Sequence, residues 1–327
     1  MATRVLSGTR PTGKLHLGNL LGALENYKKL QGQDAFFMIA DLHALTTEYE
    51  GKTHIAANVL EVVIDYLASG LDPEQCTMFV QSEVLEHANL AQLFSMITPL
   101  GWLERNPTYK DQIDELKGKE LHTHGFLGYP VLQAADIAIY KAEKVPVGED
   151  QLPHLELTRE IIRRFHHLYK VTLFPEPEAV LTQVPKVLGL DGRKMSKSYN
   201  NCIYLADSRE EVIKKVKGMM TDPARKTKED KGHPEICPVF SYHRLFNKER
   251  VEGVAQECRS ARRGCVECKM EMAAKLNEFL DPIRERRETW MKKKKEIRQI
   301  LDQGAQKARE VASSTYRQVL RAMGLVS

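Results

Sequence analysis

Through the first half of the chain, short apolar runs alternate with longer stretches whose apolar positions recur every three or four residues. Residues 4–7, 36–40 and 77–81 are brief, continuous apolar runs bounded by polar, Gly or Pro positions, as expected of strands buried on both faces. A Gly/Pro/Thr loop follows the first run and leads into a helical pattern over residues 18–31. Ile55, Val59, Val62, Val63, Tyr66 and Leu67 mark one face of another helix, which Gly70 closes. This βαβαβ order predicts α/β architecture: a Rossmann-like, doubly wound parallel sheet.

The pattern then changes. Residues 101–125 are polar and lysine-rich and read as an insertion or mobile segment. Residues 134–140 and 152–165 read as helices flanking Val145-Pro146-Val147-Gly148. From about Ser208 no strand pattern appears, and helical periodicity runs to the end, with Leu320 and Met323 as late apolar positions. The domain change is placed near Asn200, giving a Rossmann-like domain over 1–200 and a helical domain over 201–327.

Composition adds little to this picture. Charged residues make up 28% and hydrophobic residues 42% of the 327 positions, as in ordinary globular proteins. A net charge of +4 permits a nucleic-acid partner without requiring one. The lysine run at 292–295 is most simply a solvated helix face. The apolar run at 35–40 is too short to span a bilayer, and residues 1–6 lead straight into a strand, so the expectation is a cytoplasmic protein without leader or membrane segment.

Two loops carry chemistry. In the first, Gly8, Pro11, Gly13 and Gly18 lie between a strand and a helix. Small residues let the backbone approach phosphate, the helix start at Gly18-Asn19 offers amide dipoles, and His16 can donate to a phosphate oxygen. In the second, Gly189-Leu190-Asp191-Gly192 delivers Lys194, Met195, Ser196, Lys197 and Ser198 in one flexible segment. Ammonium groups that engage charge developing on transferring phosphate lower a barrier selectively. The pair predicts a nucleotide site.

These loops resemble the two signature motifs of class I aminoacyl-tRNA synthetases. Together with Ala40-Asp41-Leu42-His43, residues 129–136 (YPVLQAAD), residues 145–151 (VPVGEDQ) and residues 308–312 (AREVA), they make nearly the whole chain similar to the bacterial tryptophanyl branch of that family. The resemblance implies joining of tryptophan to ATP with Mg²⁺, then transfer to tRNA(Trp), in a homodimer. It assigns Arg10, Pro11, Thr12, Gly18, Asn19, Gly148, Glu149, Asp150, Val187 and residues 194–198 to ATP, with His16, Lys194 and Lys197 as the catalytic groups. It makes 201–327 an anticodon-binding domain.

Substrate identity needs separate argument, since tyrosyl enzymes are close relatives. Tyr129, Gln133 and Asp136 share one helical face, where a carboxylate can accept an indole N–H. Glutamine at position 133 is the tyrosyl habit. Leu6 argues the other way: it suits indole and would leave a buried phenol hydroxyl without a partner. Leu6, His43, Val145 and Val147 complete the expected tryptophan pocket. Tryptophan is favoured, with a tyrosyl enzyme, a synthetase-like RNA-binding regulator and a small-acid nucleotidyltransferase as alternatives.

Four of the six cysteines follow a Cys-x20-Cys-x6-Cys-x2-Cys pattern: Cys237, Cys258, Cys265 and Cys268. Such a set suits a metal centre in a reducing compartment, either zinc or an iron–sulfur cluster. Only one Cys-x2-Cys knuckle is present, which favours the cluster. The resemblance extends to a subset of bacterial tryptophanyl enzymes with a 4Fe-4S cluster held by a similar cysteine set.

Overall fold

The structure, a computed structural model, describes residues 3–50, 53–109, 113, 120–181 and 186–326. Contacts divide the chain into two compact units. One comprises Met1–Gly13, Ala23–Gln183 and Trp290–Ser327, and the other Lys14–Gly22 and Val184–Thr289.

The first unit is built on a five-stranded sheet of β1 (Arg4–Thr9), β2 (Asp34–Ile39), β3 (Thr77–Val80), β4 (Lys144–Val147) and β5 (Glu178–Leu181). Every pairing is parallel and the order is β3-β2-β1-β4-β5, the doubly wound arrangement that the alternation of runs predicts. Three strands fall on the predicted runs; β4 and β5 complete the sheet. Among the described residues, the helices of eight or more residues in this unit that precede its last helix are α1 (Ile55–Ala68), α2 (Glu86–Ile97), α3 (His124–Ile139) and α4 (Leu152–Tyr169).

Register explains the two layers. Leu6 pairs with Phe36, and Gly8, Met38 and Phe79 align beside them on the same face. That face joins Ala134 and Ala138 of α3 and Leu155 and Ile161 of α4 in the main core. Gly8 is needed in this row, because a Cβ there would lie 2.7 Å from Met38 Cγ. On the opposite face Phe37 stacks on Tyr27 at 4.5 Å.

The second unit carries α5 (Arg209–Gly218), α6 (Pro238–Phe246), α7 (Val251–Arg259) and α8 (Cys265–Met291). The last helix, α9 (Lys294–Ala322), belongs to the first unit, where it packs along β3. Compactness thus cuts the chain at 183–184 rather than near Asn200, and returns the C-terminal helix to the sheet. Helical periodicity says that a helix has a buried face, not which element covers it.

Two expectations change locally. The helix expected over 18–31 is a helical turn at Leu17–Asn19, a π-helical Leu20–Leu24 and an α-helical Glu25–Leu30. Of the lysine-rich stretch expected as an insertion, residues 110–112 and 114–119 lie outside the described residues, while Leu100–Glu104 is helical. Among the described residues no helix is long and apolar enough to cross a membrane.

Candidate active site

In the first unit, strand order reverses between β1 and β4, and open α/β sheets bind ligands outside the carboxyl ends of such strands. Arg10, Pro11 and Thr12 follow β1 directly, and Gly148, Glu149 and Asp150 follow β4, where Glu149–Gln151 forms a 3₁₀ turn. Gly148 is tight: a Cβ would stand 2.7 Å from Asp150 Oδ1. Arg10 donates to the Thr47 hydroxyl, and its buried Nε has no partner among the described residues. Burial lowers the guanidinium pKa. An anion there would relieve both penalties.

The face of α3 carrying Tyr129, Gln133 and Asp136 is the centre of a polar network. Asp136 is wholly buried. Its Oδ2 accepts from His43 Nε2 at 2.7 Å, while Oδ1 meets Gln81 Nε2 at 2.8 Å and His87 Nδ1 at 2.7 Å. Burial alone would raise the carboxyl pKa, but the two histidines outweigh it and hold it at about 2. His87 Nε2 continues to the Tyr140 hydroxyl at 2.9 Å. The His43 ring also stands edge-on to Tyr129, 6.5 Å between centroids, and the Tyr129 hydroxyl meets His154 Nε2 at 2.8 Å. Burial lowers His154 to about 4, so it is neutral at pH 7.

Leu6 and Val145 are buried in the core that also holds Ala134 and Ala135, with Val147 packed at its margin. Gln133 is half-buried. The network therefore unites Tyr129, His43 and Asp136 from the sequence-derived set, and adds Gln81, His87, Tyr140 and His154. None of these four stands in a recognisable motif, although a buried histidine or glutamine needs a partner.

In the second unit the His16 segment of the first loop lies with the lysine loop. Leu17 N donates to Ile203 O, and Leu205 N to Leu15 O, which ties the His16 segment to the chain just after the lysine loop. His16 caps the turn Leu17–Asn19: its Nδ1 accepts from Asn19 N at 3.3 Å, and its backbone N–H donates to Asn19 Oδ1 at 3.0 Å. Gly18 is required beside it, since a Cβ would lie 3.0 Å from two atoms of the ring. Burial, aided by Lys197 and Lys194, lowers the imidazole pKa to about 4. The ring is thus neutral at pH 7. With Nδ1 used as acceptor, the hydrogen sits on Nε2, leaving a neutral N–H donor beside two ammonium groups.

The lysine loop is a tight double-back. Met195 N donates to the carbonyl of buried Val187 at 2.9 Å, and Gly189 N to Arg193 O at 2.7 Å. Met195 is buried, whereas Lys194 and Ser198 are exposed and Ser196 and Lys197 half-buried. Asn201, also missed by motif reading, pins the loop: it accepts from Ser196 N at 2.8 Å and donates to Asp191 Oδ1 at 2.7 Å and Lys194 O at 3.2 Å.

All four clustered cysteines line one cavity of the second unit, together with the nearly buried Arg225 and Arg263. The thiols are free, and burial pushes Cys268 to about 12 and raises Cys237 and Cys258. Among the described residues, no group of three or more His, Cys, Asp or Glu side chains is arranged to hold a metal ion. Among the described residues, both arginines have a buried Nε without a partner. Two cationic donors beside four thiols suit an anionic thiolate-bound group.

A doubly wound sheet with phosphate loops of this kind defines a class of ATP-using enzymes, and comparison with known proteins places the chain within it. Residues 1–281 match the model of the tRNA synthetases class I (W and Y), and the chain belongs to that family. It is similar to tryptophan–tRNA ligases: 52% identical over 327 residues to that of Thermotoga maritima, covering 99% of each chain. With that of Aquifex aeolicus it shares 47% over 394 residues, covering 98% of this chain and 100% of the other. A crystal structure of tryptophanyl-tRNA synthetase from Campylobacter jejuni, complexed with ADP and tryptophan, matches with a TM-score of 0.88 at 33% identity, covering 98% of this chain and 100% of that one.

Proposed function

We infer that the chain joins tryptophan to ATP, releasing pyrophosphate, and then transfers the tryptophanyl group to the 3′ end of its tRNA. The observation that carries this reading is that backbone bonds from Leu17 to Ile203 and from Leu205 to Leu15 tie the His16 segment into the unit that holds Lys194 and Lys197. As the tryptophan carboxylate attacks the α-phosphorus of MgATP, charge grows on the phosphate oxygens and the leaving pyrophosphate. His16 Nε2–H donates to a phosphate oxygen and the two lysines take up the leaving charge. Within the second unit Gly18, Asn19 and residues 194–198 are the ATP-binding residues, and the resemblance assigns Arg10, Pro11, Thr12 and residues 148–150 of the first unit to ATP as well.

Asp136 selects the amino acid. A carboxylate offers about four acceptor positions. Three are filled by Gln81, His87 and His43, leaving one on Oδ2 for the indole N–H. Tryptophan-dependent exchange of pyrophosphate into ATP, measured beside tRNA charging, tests the reading: tryptophan should support both and tyrosine neither. The reverse preference would make the chain a tyrosyl enzyme.

For residues 201–327 the reading is contact with the tRNA anticodon, in a cytoplasmic homodimer, as the resemblance implies. Cys237, Cys258, Cys265 and Cys268 would hold a 4Fe-4S cluster, supported by their common cavity and by the unpartnered nitrogens of Arg225 and Arg263. Bound there, it would cross-link α6, α7 and α8 without redox work. Anaerobically prepared protein should contain iron and acid-labile sulfide; one zinc per chain would replace the cluster with zinc.

A further inference from the structure

We propose that His87, itself oriented by Tyr140, is a positioning residue for tryptophan selectivity: it fixes which oxygen of Asp136 meets the substrate ring. The inference rests on the role of Asp136 just given and explains how that carboxylate is aimed. The carboxylate torsion of an aspartate is broad and nearly two-fold, so an unanchored group rotates. Gln81 and His87 together occupy Oδ1, while among the described residues Oδ2 has one donor, His43. The asymmetry leaves the open acceptor position on Oδ2, beside the ring of His43.

His87 is suited to this task because its tautomer is imposed from behind. Among the described residues the Tyr140 hydroxyl has no partner except His87 Nε2. Burial keeps that phenol protonated, so its O–H donates to Nε2 and the imidazole hydrogen sits on Nδ1, facing Asp136. Asp136 and Tyr140 stand one helical turn apart, so a single imidazole from α2 engages both. Aromatic packing holds the ring in place: Phe79 lies 5.9 Å and Tyr140 5.3 Å from it between centroids, and Phe36 stacks on Tyr140 at 4.7 Å. Without His87, Oδ1 loses a donor. The carboxylate can then rotate, or take up a proton and present an O–H where the substrate needs an acceptor.

The test compares kcat/KM in pyrophosphate exchange for tryptophan and for 3-(benzothiophen-3-yl)alanine, which has sulfur in place of the ring N–H. A site built around that hydrogen bond rejects the isostere by on the order of 10³-fold or more. In His87→Leu the rejection should shrink by on the order of 10²-fold, mainly through a higher KM for tryptophan, with the KM for ATP unchanged. His87→Asn places an amide donor near the former Nδ1 and should restore most of the discrimination. Tyr140→Phe should lose part of it, and these two variants carry the test if His87→Leu does not fold. A parent that discriminates beside a His87→Leu variant that discriminates equally overturns the role of His87 alone. A parent that accepts both amino acids alike removes the Asp136 contact, and the role of His87 with it.

Discussion

Asn201 holds the lysine loop by one side chain, and its surroundings leave little room for another arrangement. A Cβ on Gly189 would stand 2.2 Å from its amide, so a glycine and an asparagine are matched across the turn. Asn201→Ala frees Ser196 N and Lys194 O and lets both lysines drift. Misplacement by an ångström can cost about 10²-fold, so kcat for tryptophan activation should fall by roughly 10- to 100-fold while the KM for tryptophan stays put; rapid-quench assay of adenylate formation reads this. His16 gives a pH prediction. Its pKa is about 4 in the fold against an ordinary 6.5. The unfolded chain therefore binds the extra proton between these values, and stability is full above pH 6.5 and declines as pH falls toward 4, by about 3 kcal/mol for this one group. Urea midpoints at pH 7.5 and pH 5 should draw closer in His16→Asn, apart from the slope that His154, His166 and His243, all lowered by burial, add. Such contiguous loops are legible in sequence. His87 and Gln81 are not, because they stand 49 and 55 positions from Asp136 and nothing local marks them as its donors.

Among the elements, β1, β2 and β3 announce themselves by unbroken apolar runs, whereas β4 and β5 do not. In β4, Pro146 sits opposite Val180 of β5; proline cannot donate in the ladder, so a four-residue stretch centred on it reads as a loop. Glu178–Leu181 is only partly buried, and a half-exposed edge strand has no apolar continuity to detect. In α9 the periodicity is plain but the docking is not. Ala305, Ala308 and Ala312 are buried there, and a Cβ on Gly304 would come 1.8 Å from Met78 O, so the helix backbone lies almost on β3. Gly304→Ala should therefore cost about 1–3 kcal/mol or more and lower Tm by several degrees. By contrast Gly218, at the end of α5, has nothing within 4 Å of an added Cβ; Gly218→Ala should leave Tm unchanged or raise it slightly. Differential scanning calorimetry of the two variants separates close packing from helix propensity.

At the scale of the molecule, the sequence announces a parallel α/β sheet followed by helices, yet the units interleave along the chain. The short segment Lys14–Gly22 belongs with the lysine loop, and Trp290–Ser327 with the sheet. Periodicity does not reveal such exchanges, because they depend on which apolar faces meet. The anticodon contact inferred for the helices around the cysteine cavity sets the expectation for Cys265→Ser: tRNA charging should weaken while tryptophan-dependent pyrophosphate exchange persists, and equal loss of both would refute that role. The close seat of α9 on β3 also bears on how the protein is made. Some 240 residues separate the end of β3 from the end of α9. At roughly 5–20 residues per second, the ribosome takes roughly 10–50 seconds to supply them. Throughout that interval the nascent sheet has its edge strand without the helix that closes it, open to stray pairing with other chains. The sheet unit is begun before the second unit and completed only after it, once the chain has been made through α9.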